Sequence, residues 1–144
     1  LLWRPSDIAE IEEITAKGGN WIIVIKSATN ILKGDNFVFV YPELLVNKII
    51  VRRGEVMTSE ILEKNELDYK NINSTIKTLL RRTRDEIKLR GSIVNEITTR
   101  GDFIKKIRDS LKNNPNIKYQ LEVVSLKDSK TADSIIVELN ITEL

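Results

Sequence analysis

Residues 51–84, VRRGEVMTSEILEKNELDYKNINSTIKTLLRRTR, hold the pattern in this chain most capable of chemistry. Lys70, Ser74, Lys77, Arg81, Arg84 and Lys88 recur at i, i+4, i+7, i+11, i+14 and i+18, which keeps them on one side of a helix. Ile72, Ile76, Leu79, Leu80 and Ile87 fall within a separate arc when each residue turns by about 100°. Such a helix buries one side and offers five cations and a hydroxyl on another, a footprint suited to tracking phosphates in a DNA groove. Asn71 and Asn73 could read adenine edges, and Lys70 or Lys77 could reach guanine acceptors. Arg81 and Arg84 would then hold phosphates. The plainer alternative is that charged residues simply solvate the outer face of a helix.

The charge is unevenly placed along the chain. The 144 residues contain 23 Lys+Arg and 21 Asp+Glu, a net charge of +2. Residues 70–108 hold eleven basic and four acidic residues, a local excess of +7 that leaves −5 for the remainder. That asymmetry points to a localised anionic partner. At 41% hydrophobic and 31% charged, the composition is that of a folded globular chain. Histidine and cysteine are both absent, which removes the usual general base, a thiol nucleophile and the common zinc ligands. No catalytic residue, metal site or cofactor is expected. Asp7, Glu10, Glu12 and Glu13 read as acids favoured near a helix start rather than as a cation site. Arg100-Gly101-Asp102 reads as a turn rather than an adhesion tripeptide. The Asn73 and Asn140 glycosylation sequons are short enough to be chance matches. With no apolar run near the roughly twenty residues of a membrane span and no signal-peptide pattern, a cytoplasmic location is expected. The chain opens at Leu1 rather than methionine, the start expected of a processed or excised piece.

The elements that must position the basic stripe follow from pattern. RPSDIAEIEEITAKGG reads as a helix capped by Ser6 or Asp7 and ended by Gly18-Gly19. NWIIVIK and NFVFVY read as strands around a Lys33-Gly34-Asp35 turn. Pro42 suits the first position of a helix PELLVNKIIVRRG, and Thr58 suits the cap of a short helix TSEILEKN. After Gly91, SIVNEITTRGDFIKKI alternates like a hairpin with Arg100-Gly101-Asp102 at its tip. The competing reading is a helix from Asp102, because Phe103, Ile107 and Leu111 recur at i, i+4 and i+8. NIKYQLEVVSL and SIIVELNITEL flank KDSKTAD as an antiparallel hairpin.

The run YPELLVNKIIVRRGEVMTSEIL…NINSTIKTLLRRTRDEI…SIVNEITTRGDFI resembles the winged helix-turn-helix effector domain of OmpR-type transcription regulators, over roughly half the chain. Gly54-Glu55-Val56-Met57-Thr58 is similar to that family's turn, Ile72, Ile76 and Leu79 to its recognition helix, and Thr99 to Phe103 to its wing. The resemblance implies an α+β fold with a winged helix-turn-helix core at residues 29–108. An N-terminal helix and strand at 1–28 and a C-terminal β-hairpin extension at 109–144 would flank it. It also implies a transcription regulator that places its basic helix in the major groove of double-stranded DNA, with Arg100 touching the neighbouring backbone or minor groove. The terminal hairpin would serve a homodimer or a protein partner. A second expectation comes from another class: a non-catalytic structural or assembly protein working through protein–protein contacts. A helix DFIKKIRDSLKNNPNI followed by a β-hairpin would suit a phage or secretion-apparatus component. Residues 103–108 decide between the two, strand favouring the wing and helix favouring assembly.

Overall fold

The computed structural model describes residues 1–63, 69–114 and 116–144, and of residues 69 and 70 the backbone alone. The protein is a mixed α+β chain of two compact units, Leu1–Lys48 and Ile49–Leu144.

The first unit consists of α1 (Pro5–Ala16), β1 (Trp21–Ser27) and β2 (Val40–Val46). Pro5 opens α1, where its missing N–H costs nothing. Neither Ser6 nor Asp7 caps the helix as expected. Arg4 occupies the cap position with no side-chain cap bond, and Asp7 instead receives the Arg4 guanidinium at 2.9 Å. β1 and β2 form an antiparallel ribbon in the register Ile25↔Pro42 and Ile23↔Leu44. Residues 42–54 are therefore not the expected helix. Pro42 fits because a two-stranded ribbon leaves a free edge on every strand, where a missing donor is tolerated. Of the NFVFVY segment only its end is strand, and Phe39 makes a lone bridge to Leu2.

The second unit begins with β3 (Ile49–Val51) and β4 (Val56–Leu62), continues through α2 (Tyr69–Leu89), β5 (Ile97–Thr99) and α3 (Phe103–Asn113), and closes with β6 (Tyr119–Ser125), β7 (Ser129–Lys130) and β8 (Ile135–Glu143). Its main sheet is four-stranded in the order β4-β6-β8-β5, with β5 parallel to β8 and the other pairs antiparallel. β3 and β7 form a small second pairing. Alternate residues of β6 and β8 (Tyr119, Leu121, Val123 and Ile135, Val137, Leu139) are buried together with Ile72, Ile76, Leu79 and Ile87 of α2 and Phe103 and Ile107 of α3. Both helices thus lie on one face of the sheet, which is the core. The expected C-terminal hairpin is present as β6 and β8.

Two expectations for the winged core are overturned at the level of elements. Of the expected helix TSEILEKN, TSEIL is part of strand β4, Glu63 is neither helix nor strand, and Lys64 and Asn65 lie outside the described residues. Thr58, Glu60 and Leu62 point toward α2, where the Thr58 hydroxyl meets that of Thr83 at 2.9 Å and Glu60 meets Arg82 at 2.6 Å. Polar residues satisfied by a partner helix hide the alternation that marks a strand. Residues 103–113 form α3 rather than a wing strand. Gly101, at φ +81°, turns the chain after β5, and the Asp102 carboxylate accepts the Lys105 N–H at 3.1 Å to start the helix. The two helices expected before α2 and the hairpin expected after it are not formed.

Arg90 ties the end of α2 to the start of the sheet. Its guanidinium donates to the Ile50 carbonyl at 3.1 Å, to Glu55 at 2.6 Å and to Glu86 at 2.8 Å. Burial works against the Arg90 charge, yet the bonds to Glu55 and Glu86 hold its pKa above the ordinary value. The Glu55 carboxylate accepts the Arg52 backbone N–H, which with Arg90 holds its pKa below the usual carboxylate range despite desolvation.

Leu121→Ala should lower unfolding stability by about 2–5 kcal/mol in urea melts, because Leu121 is fully buried at the centre of the sheet. Glu55→Gln should cost about 1 kcal/mol or less at pH 7, the pair being partly exposed. A depressed folded pKa means that this stabilisation is in place above the unfolded value of about 4.3 and lost as pH falls further. The stability gap between wild type and Glu55→Gln should therefore close below about pH 4.

Candidate functional site

The 21-residue helix α2 has three distinct sides. Ile72, Ile76, Leu79, Thr83 and Ile87 are buried against the sheet. Thr83, the one polar member of this row, bonds the Leu79 carbonyl at 2.8 Å as well as Thr58. Opposite this side, Ser74, Lys77, Arg81, Arg84 and Lys88 are exposed, as the stripe expects. Asn71 and Asn73 are half-buried, and the Lys70 side chain lies outside the described residues. Arg100 is exposed too, but it stands at the end of β5 and not on a hairpin tip. Its backbone N–H donates to the Val137 carbonyl at 2.8 Å, and α3 begins three residues later.

The cations of α2 divide by their partners. Arg82 is paired with Glu60 on β4, and Arg90 with Glu55 and Glu86. Among the described residues, Lys77, Arg81, Arg84 and Lys88 take part in no ion pair. Lys105 and Lys112 on α3, the helix packed beside α2, are exposed as well. Their place on a helix follows only once residues 103–113 are read with period 3.6. Such a surface attracts anions through summed charge, not through a preformed pocket. Exposed cations act in a high dielectric, where each pair is weak and screened by salt.

The third side of α2 faces the outer edge of β4. Ser74, Thr75, Thr78 and Arg82 of the helix and Glu60 and Ile61 of the strand wall a cleft of about 160 Å³. Of these residues the stripe includes Ser74 alone. Thr75, Thr78 and Arg82 lie at i, i+3 and i+7, a visible polar row, but its meaning depends on knowing that β4 is a strand at a sheet edge. Among the described residues no cluster of three or more acids is arranged to hold a metal ion. No helix there is long and apolar enough to cross a membrane.

Arg90→Ala should destabilise the fold by about 1–3 kcal/mol, since it strips partners from two carboxylates and a carbonyl. Lys77→Ala and Arg81→Ala should each stay within about 0.5 kcal/mol of wild type in the same melts. Compared with protein-family models, with curated proteins and with solved structures, the chain matches none.

Proposed function

We propose that this chain is a non-catalytic assembly module that acts through protein–protein contacts, the role expected of a structural component of a phage or secretion apparatus. The observation that carries the reading is the apolar surface of the first unit. Val40 is its only buried residue, and α1 buries none. Ile31, Leu32, Phe37 and Phe39 are 61%, 69%, 67% and 57% exposed, and Ile23 and Ile25 on β1 are about half exposed. A cleft of about 480 Å³ opens beside Leu2, Phe39 and Tyr41. A two-stranded ribbon with one buried residue is marginal in water, and large apolar side chains left this exposed gain by being covered. The helix at residues 103–113 leading into the β6–β8 hairpin also favours assembly over a wing.

The test is size-exclusion chromatography of the tagged chain from the cells that make it. Wild type should elute in a large complex, and the Phe37→Ser/Phe39→Ser double variant as a folded monomer. Elution of wild type as a monomer would remove the reading.

A second reading is supported by the unpaired cations of α2: contact with duplex DNA through Lys77, Arg81, Arg84 and Lys88. Affinity for random-sequence duplex should then fall with salt, with a slope in log K against log salt of about −0.9 for each phosphate neutralised. Lys77→Ala or Arg81→Ala should each reduce that slope by about 1. Absence of binding at low salt would eliminate it.

A further inference from the structure

We propose that the outer edge of β4 is a docking site for an extended acidic segment of a partner protein, which adds beside β4 as a further strand. Among the described residues β4 has one strand neighbour, β6, and it stands at the edge of the four-stranded sheet. An edge of seven residues presents a row of backbone donors and acceptors that an added strand can pair. β4 carries neither Lys nor Pro, two common devices for blunting an edge, and its irregularity is confined to Val56/Thr58. From Thr58 to Leu62 its register with β6 is unbroken.

The space for the segment is already shaped. α2 reaches past β4, so that Ser74, Thr75, Thr78 and Arg82 roof a cleft whose floor is Glu60 and Ile61. Three hydroxyls there can bond the polar atoms of an occupant. Ile61 and Val56, 49% and 45% exposed, offer apolar contact on β4 itself.

Charge selects the occupant. Glu60, the acid of the cleft, is already neutralised by Arg82 at 2.6 Å. Lys77 and Arg81 stand one helical turn from Ser74 and Thr78 respectively (i, i+3), at the solvent side of the cleft, exposed and without ion pairs. Glu86 is held by Arg90, and Asp85 lies a turn beyond Arg81. Among the described residues the rim therefore carries two unpaired cations, Lys77 and Arg81, against one unpaired acid, Asp85, and an acidic strand would be drawn to it. A second copy of this chain fits less well. Pairing β4 with its own twin would bring two α2 helices, with their Lys77 and Arg81, toward each other, and like charges in register are destabilising.

This inference deepens the assembly reading and rests on it, but the two fail separately. An unoccupied β4 edge leaves the chromatographic complex of the first unit untouched. The probe is a short fluorescent peptide alternating glutamate with valine, measured by anisotropy at low ionic strength. Its companion has the same side chains with alternate backbone nitrogens methylated, which keeps the charge and blocks strand pairing. The parent peptide should bind, and methylation should weaken it by about tenfold or more. Lys77→Glu/Arg81→Glu and, separately, the neutral Ile61→Gln should each weaken it by a similar factor, with unchanged circular dichroism and thermal midpoint. Equal binding of the methylated peptide would reduce the effect to charge attraction and overturn the proposal. Binding indifferent to all three substitutions, or no binding of the parent, would overturn it as well.

Discussion

The second unit depends on one constraint: the inner face of its sheet has to be covered. Tyr119, Leu121 and Val123 on β6 and Ile135, Val137 and Leu139 on β8 stand side by side, and two helices are the cover available. Everything else in the unit is placed to keep α2 and α3 over that face. The Tyr119 hydroxyl reaches the Ser110 and Asn114 carbonyls at 3.0 and 2.8 Å, pinning β6 to the end of α3, where the Ser110 carbonyl also accepts the Asn114 N–H. The Lys106 ammonium reaches the Leu139 carbonyl, tying the same helix to β8. At the far end of α2, Arg90 spans three acceptors on three parts of the chain. Apolar burial supplies most of the driving force, and these directional bonds select one orientation of each helix.

That division of labour explains why the cations of α2 are not equivalent. Position on the helix decides whether a charge meets the sheet or the solvent. Arg82 sits on the side toward β4 and finds Glu60, and Arg90 ends the buried row and finds Glu55. Lys77, Arg81, Arg84 and Lys88 look away from the sheet. Removing them would cost the fold little, so their role is to be sought in what approaches the surface. The net charge of +2 conceals this arrangement, because acids elsewhere balance a stripe they do not touch.

The same physics governs what could be read in the chain before folding. α1, β1, α2 and the β6–β8 hairpin were legible because each carries its own apolar period, with no distant partner needed to reveal it. α3 was visible as one of two readings, through Phe103, Ile107 and Leu111. β2 and β4 were mistaken for helices for two different reasons. Pro42 is favourable both at the first turn of a helix and on an open strand edge, and only the pairing with Ile25 distinguishes them. In β4 the inward positions include Thr58 and Glu60, which are acceptable only because Thr83 and Arg82 come from more than twenty residues away. A pattern whose sense depends on non-local bonds is not visible locally. Ser74, Lys77, Arg81, Arg84 and Lys88 of the basic stripe were therefore read correctly as exposed, while the cleft beside β4, which needs both the strand and its edge position, was not read. The wing was expected at Arg100, where the chain instead turns from a three-residue parallel strand into a capped helix.

Under the assembly reading the two units offer surfaces of different kinds. The cleft beside β4 is lined by hydroxyls and an ion pair, all of which water can satisfy when no strand is present. The second unit keeps its core closed under α2 and α3 whether or not a strand is added. The first unit has no comparable core: one buried valine and a two-stranded ribbon leave Ile31, Leu32, Phe37 and Phe39 in solvent. Covering those side chains is worth more to this unit than a strand is worth to β4, because burial adds to a nearly absent core rather than to a complete one. Contacts of the first kind are tuned by charge and salt, and those of the second by apolar area. A component that must be held permanently and still engage a further segment needs both, and this chain carries one on each unit.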